Sequence, residues 1–200
     1  MRNDDIGVLI LAAGSSSRMG TSKQMLPVGG TSLLAKTIST ALESKLENIV
    51  VVLGSNADEH RIAANEFPVT TLINLDWHKG MGTSIKVGVK HFQGEDAVKG
   101  VIILVCDQPK LSPDVIVSLI EKEKQTHKPI IASRYANTLG VPALFMRTMF
   151  DKLLTLQDDH GAKKIIVNNE DHVSEVDFPD GEIDLDTKED YDNYIKNTNA

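Results

Sequence analysis

The chain has 200 residues, 41% of them hydrophobic and 24% charged, a balance that suits a single globular domain over the whole length with one sizeable core. The net charge is -7 with no run of lysine and arginine, which lacks the basic footprint of a nucleic-acid binder. No apolar run nears the ~20 residues of a membrane span, Met1-Arg-Asn-Asp-Asp5 lacks a basic signal region, and the lone Cys106 excludes an intrachain disulfide and a cysteine-cluster metal site. The expected place is therefore the cytoplasm, with neither nucleic acid nor membrane as partner.

The first predicted strand, Gly7–Leu11, is continuously apolar, as suits a central parallel strand covered on both faces. The segment after it, Leu11-Ala-Ala-Gly-Ser-Ser-Ser-Arg-Met-Gly-Thr-Ser-Lys23, carries two glycines that allow a sharp turn and close approach to a ligand. Serine hydroxyls and exposed N–H groups can line an anion-binding hollow, and Arg18 and Lys23 supply cations for phosphate oxygens. The spacing is neither that of a P-loop, which needs Gly-Lys-Ser/Thr contiguous, nor that of a dinucleotide fingerprint. A helical stripe follows at Leu33, Leu34, Ile38, Ala41 and Leu42, with Thr31 or Ser32 as its cap. Strands are predicted at Ile49–Leu53 and Thr70–Ile73.

The stretch Asn74-Leu-Asp-Trp-His-Lys-Gly-Met-Gly-Thr-Ser84 reads as a tight loop at Gly80 and Gly82, with Thr83 or Ser84 capping the next helix, whose N-terminus favours anions. Trp77 reads first as packing and His78 as surface, because no second histidine or cysteine gives a metal-ligand spacing. The run Val101–Val105 predicts a second central strand, and Asp107 at its tip is well placed to hold Mg²⁺ against phosphates. Cys106 reads as a small core residue. A helix with Ser112 as cap and Pro113 in its first turn carries the stripe Val115, Ile116, Leu119 and Ile120. Further strands are expected at Ile130–Ala132, Ala143–Phe145 and Val173–Val176. In Ile183-Asp-Leu-Asp-Thr-Lys-Glu-Asp-Tyr191, alternation along a short strand would put Asp184 and Asp186 on one face.

Strand–helix alternation argues for an α/β, doubly wound, mostly parallel sheet of the Rossmann type in three layers. Ligands of such sheets lie beyond the carboxyl ends of strands, which points to the loops after Leu11 and Val105.

Leu-Ala-Ala-Gly-x-x-x-Arg-Met-Gly-x-x-Lys, from Leu11 to Lys23, resembles the signature of the MobA-like NTP transferases. Its Leu-Ala-Ala-Gly form is most similar to the molybdenum-cofactor cytidylyltransferases. Asp107-Gln-Pro resembles the family's metal-binding turn, Trp77 to Ser84 its nucleotide wall, and Asp184-Leu-Asp-Thr-Lys-Glu-Asp its Asp-Ile-Asp-Thr-Pro-Glu-Asp, with Lys188 in place of proline. On the acceptor side Leu139-Gly-Val-Pro142 replaces the usual Gly-His-Pro or Gly-Asn-Pro, and Asp158-Asp-His-Gly-Ala162 replaces Gly-Asp-x-Gly-Ala. The resemblance runs from about Val8 to Tyr191.

It implies a nucleotide-diphospho-sugar-transferase-like fold and an attack by an acceptor phosphate on the α-phosphorus of an NTP, with release of pyrophosphate. Mg²⁺ on Asp107 and Asp186, with Asp184 the competitor of the latter, would clamp the reacting phosphate. Arg18 and Lys23 would hold the triphosphate. Leu11, Ala12, Ala13, Gly14 and Ser15, with Gly80, Met81 and Ser84, would bind the nucleotide. CTP is favoured over GTP, the acceptor is a pterin or another phosphorylated small molecule, and a molybdoenzyme is the candidate receiver of the product. The competing expectations are a sugar- or polyol-phosphate nucleotidylyltransferase and a non-catalytic nucleotide-binding chaperone.

Overall fold

A computed structural model describes residues 5–16 and 19–198. Its main sheet has seven strands in the order β5-β4-β1-β6-β8-β7-β9. These are β1 Ile6–Ala12, β4 Ile49–Leu53, β5 Thr70–Ile73, β6 Gly100–Val105, β7 Ile130–Tyr135, β8 Thr138–Met146 and β9 Val173–Asp177, while β2 Pro27–Val28 and β3 Thr31–Ser32 form a small separate ribbon. β5, β4, β1 and β6 are mutually parallel, and β8 runs antiparallel to both β6 and β7. All seven predicted strands are present. β8 is longer than expected because the chain stays extended through Gly140-Val-Pro142, where a register shift falls opposite, between Ala132 and Ser133, and the Val141–Pro142 peptide is cis. A proline is tolerated in a strand at such an irregularity.

The helices are α1 Leu33–Glu43, α2 Ala57–Ala64, α3 Met81–Gln93, α4 Pro113–Thr126, α5 Phe150–Leu154, α6 Lys163–Val167 and α7 Lys188–Thr198. Strand alternation divides the core between the two faces of the sheet. Ile6, Val8, Ile10 and Ala12 of β1 pack with the stripes of α1 and α4. Leu9 and Leu11 pack with Ile85, Val89 and Phe92 of α3, with α5 and with α6. The result is the expected three-layer α/β architecture. Ser32 caps α1 by accepting from the Ala35 N–H at 3.2 Å.

Two local expectations are corrected. Helix α3 begins at Met81 with Gly80 before it, so neither Thr83 nor Ser84 caps it. Thr83 instead gives its hydroxyl to Gly80 O at 2.7 Å, and both hydroxyls receive from the Asn74 amide. Residues 183–187 form no strand, so no alternation fixes Asp184 and Asp186 on one face. Leu185 lies fully buried between them, in a third cluster with Met19, Leu26, Val28, Leu33 and Tyr194.

The chain winds from β1 through α1, β4 and α2 to β5 on one face, then crosses by α3 to β6 on the other side of β1. The strand order reverses between β1 and β6, and at such a switch the two outgoing loops splay apart and leave a crevice.

Candidate active site

β1 and β6 pair in parallel register to Leu11 and Val105, so Ala13 and Asp107 emerge side by side at the crevice. Two adjoining clefts meet there. The first, of about 330 Å³, is bordered by Leu11, Ala13, Gly14 and Ser15, by Lys23 and Gln24, by Gly80, Met81 and Ser84, and by Asp107. The second, of about 240 Å³, shares Leu11, Met81, Val105 and Asp107 with it and is closed by Gln108, Tyr135, Val141, Ala162 and Asp184. Ten of the predicted residues are thus gathered around one opening or at its edge. Ala12 belongs there through its backbone alone, because its methyl lies in the core beneath α1. Arg18 lies outside the described residues.

The loop after β1 is held by polar side chains. The Gln24 amide, 4% exposed, donates to Ala12 O at 3.4 Å and to Gly14 O at 3.1 Å, while its oxygen accepts from the Ser16 and Ser22 hydroxyls. The Lys23 N–H donates to Ser16 Oγ at 2.9 Å, and Ser55 N–H donates to Ala13 O at 3.0 Å. Ser22 Oγ also lies 2.7 Å from Nε2 of His60, which is fully buried in α2. Burial holds the His60 pKa below its ordinary value, against the pull of Glu59. Gln24 and His60 were not legible in the sequence, since the partner of His60 lies 38 residues away and the partners of Gln24, though near in sequence, meet it only through the shape of the turn.

The wall opposite is built by backbone contact. Gly80 has φ +129°, and a Cβ there would fall 2.5 Å from Asp158 O. The Gly82 N–H donates to that same oxygen at 2.9 Å. A Cβ on Gly54 would meet Trp77 Cβ at 2.5 Å and Ala13 O at 2.7 Å, so Trp77 packs on the strand end while its side chain borders the first cleft. His78 is exposed at the rim. In the second cleft the Gln108 amide donates to Val141 O at 3.1 Å and to Gly181 O at 3.0 Å.

Between the clefts, Lys23 Nζ lies 3.0 Å from Asp107 Oδ2 and 2.8 Å from Asp186 Oδ1. Burial opposes the lysine's charge, but attraction to Asp107 and hydrogen bonds to both carboxylates outweigh it and raise its pKa. Asp184 is raised from the usual carboxylate value by burial and by the neighbouring Asp186 and Asp107. The Cys106 thiol is pushed up to about 12 by burial first and Asp107 second, which leaves it a protonated core group. Two hard carboxylate oxygens, from Asp107 and Asp186, converging on the Lys23 ammonium are a donor set that suits an oxygen-seeking divalent ion. Among the described residues no three His, Cys, Asp or Glu side chains gather as a metal site, so the remaining ligands would be water and phosphate, as is common for Mg²⁺.

The MobA-like NTP transferase domain model matches residues 8–173. The purine catabolism protein PucB of Bacillus subtilis is 30% identical over 205 residues, covering 96% of this chain and 97% of the relative. The nicotine blue oxidoreductase of Paenarthrobacter nicotinovorans is 30% identical over 141 residues, 70% of this chain and 66% of that one. Among solved structures, Rv0371c of Mycobacterium tuberculosis in complex with manganese superposes with a TM-score of 0.77 at 26% identity, over 96% of this chain and 98% of that chain.

Proposed function

The chain belongs to the MobA-like NTP transferase domain family, and from that premise we propose that it is a single-domain cytidylyltransferase that moves CMP from CTP onto a phosphate-bearing acceptor of pterin type and releases pyrophosphate. The observation that carries this reading is the meeting of two clefts at Asp107. The first has the Leu11–Ser15 turn and Lys23 on its walls and would seat the nucleotide. The second is largely apolar, with Leu11, Met81, Ile103, Val105, Val141 and Ala162 among its lining, and would seat the acceptor. A polyol would carry many hydroxyls into such a lining and leave them unpaired, at a cost, so a ring system fits it better than the sugar- or polyol-phosphate alternative.

The acceptor phosphate is already ionised near neutral pH, so the attack needs no general base. Catalysis then rests on position and charge. Asp107 and Asp186 would hold a divalent ion, Mg²⁺ by expectation and supported by the manganese in the Rv0371c complex; when bound, it neutralises charge on the phosphates. Lys23, and Arg18 from the same loop, would meet the triphosphate and the departing pyrophosphate. Gln24 holds the Ala12 and Gly14 carbonyls and so sets the turn that would face the base. Ala13 is 7% exposed and borders the first cleft; its methyl would crowd a purine more than a cytosine. A molybdoenzyme is the receiver this reading suggests for the product.

The test is pyrophosphate release with CTP, GTP or ATP and a pterin monophosphate, in wild type and in Ala13→Gly. CTP should be preferred by an amount on the order of 1–3 kcal/mol, the range for discrimination by shape, and the preference should shrink in the variant. A wild type that prefers GTP overturns the base, and no release with any NTP overturns the reaction. Turnover of nicotine blue in place of pyrophosphate release would align the chain with its oxidoreductase relative instead.

A further inference from the structure

The first cleft and the two carboxylates share one residue whose position serves neither ligand directly. Lys23 lies at the opening of the nucleotide cleft, yet its ammonium is turned onto Asp107 and Asp186 at 3.0 and 2.8 Å. We propose that Lys23 is a latch on the cation seat: without nucleotide it occupies the place of the divalent ion, and the triphosphate opens the seat by drawing the ammonium away. This rests on the reading above, in which Asp107 and Asp186 hold the metal.

Geometry and charge argue it together. An ion bound to the same two oxygens at about 2.0–2.1 Å would overlap an ammonium already hydrogen-bonded to both, so the two cations exclude each other there. The lysine side chain is 16% exposed and the carboxylates 26% and 34%, so the trio is only partly shielded from water and the carboxylates stay reachable by an ion from solvent. The backbone of Lys23 is fixed, its N–H on Ser16 Oγ and its carbonyl receiving from the Leu26 N–H at 3.1 Å. Exchange therefore needs only the flexible side chain to turn from carboxylate to phosphate. Before it, Asp107 and Asp186 face the singly charged Lys23 ammonium; after it, they face a doubly charged ion, while the lysine meets the triphosphate. Nucleotide and metal would then raise each other's affinity by one shared factor.

Mn²⁺ alone, followed by the electron paramagnetic resonance of the free ion in the absence of nucleotide, separates the possibilities. Lys23→Met should bind Mn²⁺ about 10- to 100-fold more tightly than wild type, the span set by losing charged hydrogen bonds. Lys23→Arg keeps a cation on the carboxylates and should bind as weakly as wild type. Lys163→Met, which removes a cation from the second cleft, should also behave as wild type. Near-ultraviolet circular dichroism verifies the fold of each variant.

Equal binding by Lys23→Met and wild type overturns the latch, as does an equal gain in Lys163→Met, which would mark a general field effect. Adding Asp107→Asn to Lys23→Met tells the two readings apart. If the double variant loses Mn²⁺, the carboxylates are the seat whatever the fate of the latch. If it binds as tightly as Lys23→Met, the metal seat itself is elsewhere and the latch falls with it.

Discussion

The two clefts that meet at Asp107 are walled by different means. Around the first, side chains hold backbone: Gln24 bonds two carbonyls of the Leu11–Ser15 turn, Ser16 and Ser22 hold Gln24, Ser16 also holds the Lys23 N–H, and His60 holds Ser22. Across from it and into the second, close backbone contact is added to such bonds, as at Gly80 against Asp158 and Asp159, with Gln108 bracing Val141 to Gly181 and the Tyr135 hydroxyl also on Val141 O. A turn held by hydrogen bonds can be retuned one side chain at a time. A turn held by steric contact tolerates almost no change at the contact but leaves the surrounding side chains free to vary. Asp158, one of the positions expected to depart from the resembled pattern, falls on that second kind of contact.

The contrast can be broken at its hinge. Asp107 borders both clefts, and Asp107→Asn should reduce turnover by roughly two or more decades, as for loss of one charge-stabilising group, with both substrates still bound. Near-normal, still metal-dependent turnover would refute its role. Gly80→Ala should be next in size. It forces a methyl into the Asp158 backbone at a φ that side chains rarely adopt, at about 2 kcal/mol, which is a fall in Tm of about 4–8 °C for a chain of this size. An unchanged melting curve would mean the contact is not rigid.

The sharpest comparison pairs two glutamines. Gln24→Met should raise KM for the nucleotide, and Gln108→Met should raise KM for the acceptor, each by about 1–2 kcal/mol and each sparing the other substrate. If both variants move the same KM, the two walls are not separate. The smallest effect expected is on pH. Burial depresses the His60 pKa, so the fold keeps it neutral. The stability this gives is present above the ordinary value of 6.5 and is lost as pH falls through the folded value. Urea unfolding at about pH 7.5 and about pH 5 should therefore show a larger loss in wild type than in His60→Gln; equal losses would show that His60 titrates normally.

What could be read from residues alone follows the range of the forces involved. The apolar runs of β1 and β6 and the stripes of α1 and α4 depend on near neighbours in sequence, and they appear as expected. So does the gathering of Leu11, Gly14, Lys23, Gly80 and Asp107 at one crevice, because strand order places loops whatever their contents. Asp186 joins them from the far end of the chain, but by way of the buried Leu185 rather than by strand alternation. Gly80 was legible as a glycine and not as a reason: its partner Asp158 lies far along the chain, and nothing local marks it. His60 and Gln108 were silent for the same cause, each being explained by an atom that only the fold brings near, while Gln24 is explained by the conformation of its own turn.

The third cluster has a consequence in time. Met19, Leu26 and Val28, which flank Lys23, are buried against Leu185 and Tyr194, the Tyr191 hydroxyl donates to Pro27 O at 2.8 Å, and the Leu185 N–H donates to Asp107 O at 3.0 Å. The segment that opens the site near the beginning of the chain thus waits for one made near its end. During synthesis the strands up to β8 can pair while residues 183–194 are still inside the ribosome, but the loop around Lys23, held by Ser16, Ser22 and Gln24, lacks part of its apolar packing until they emerge. A nascent chain would carry most of the sheet before it carries the finished site, and a fusion partner that pulled α7 away would strip Tyr194 from the packing beneath the Lys23 loop.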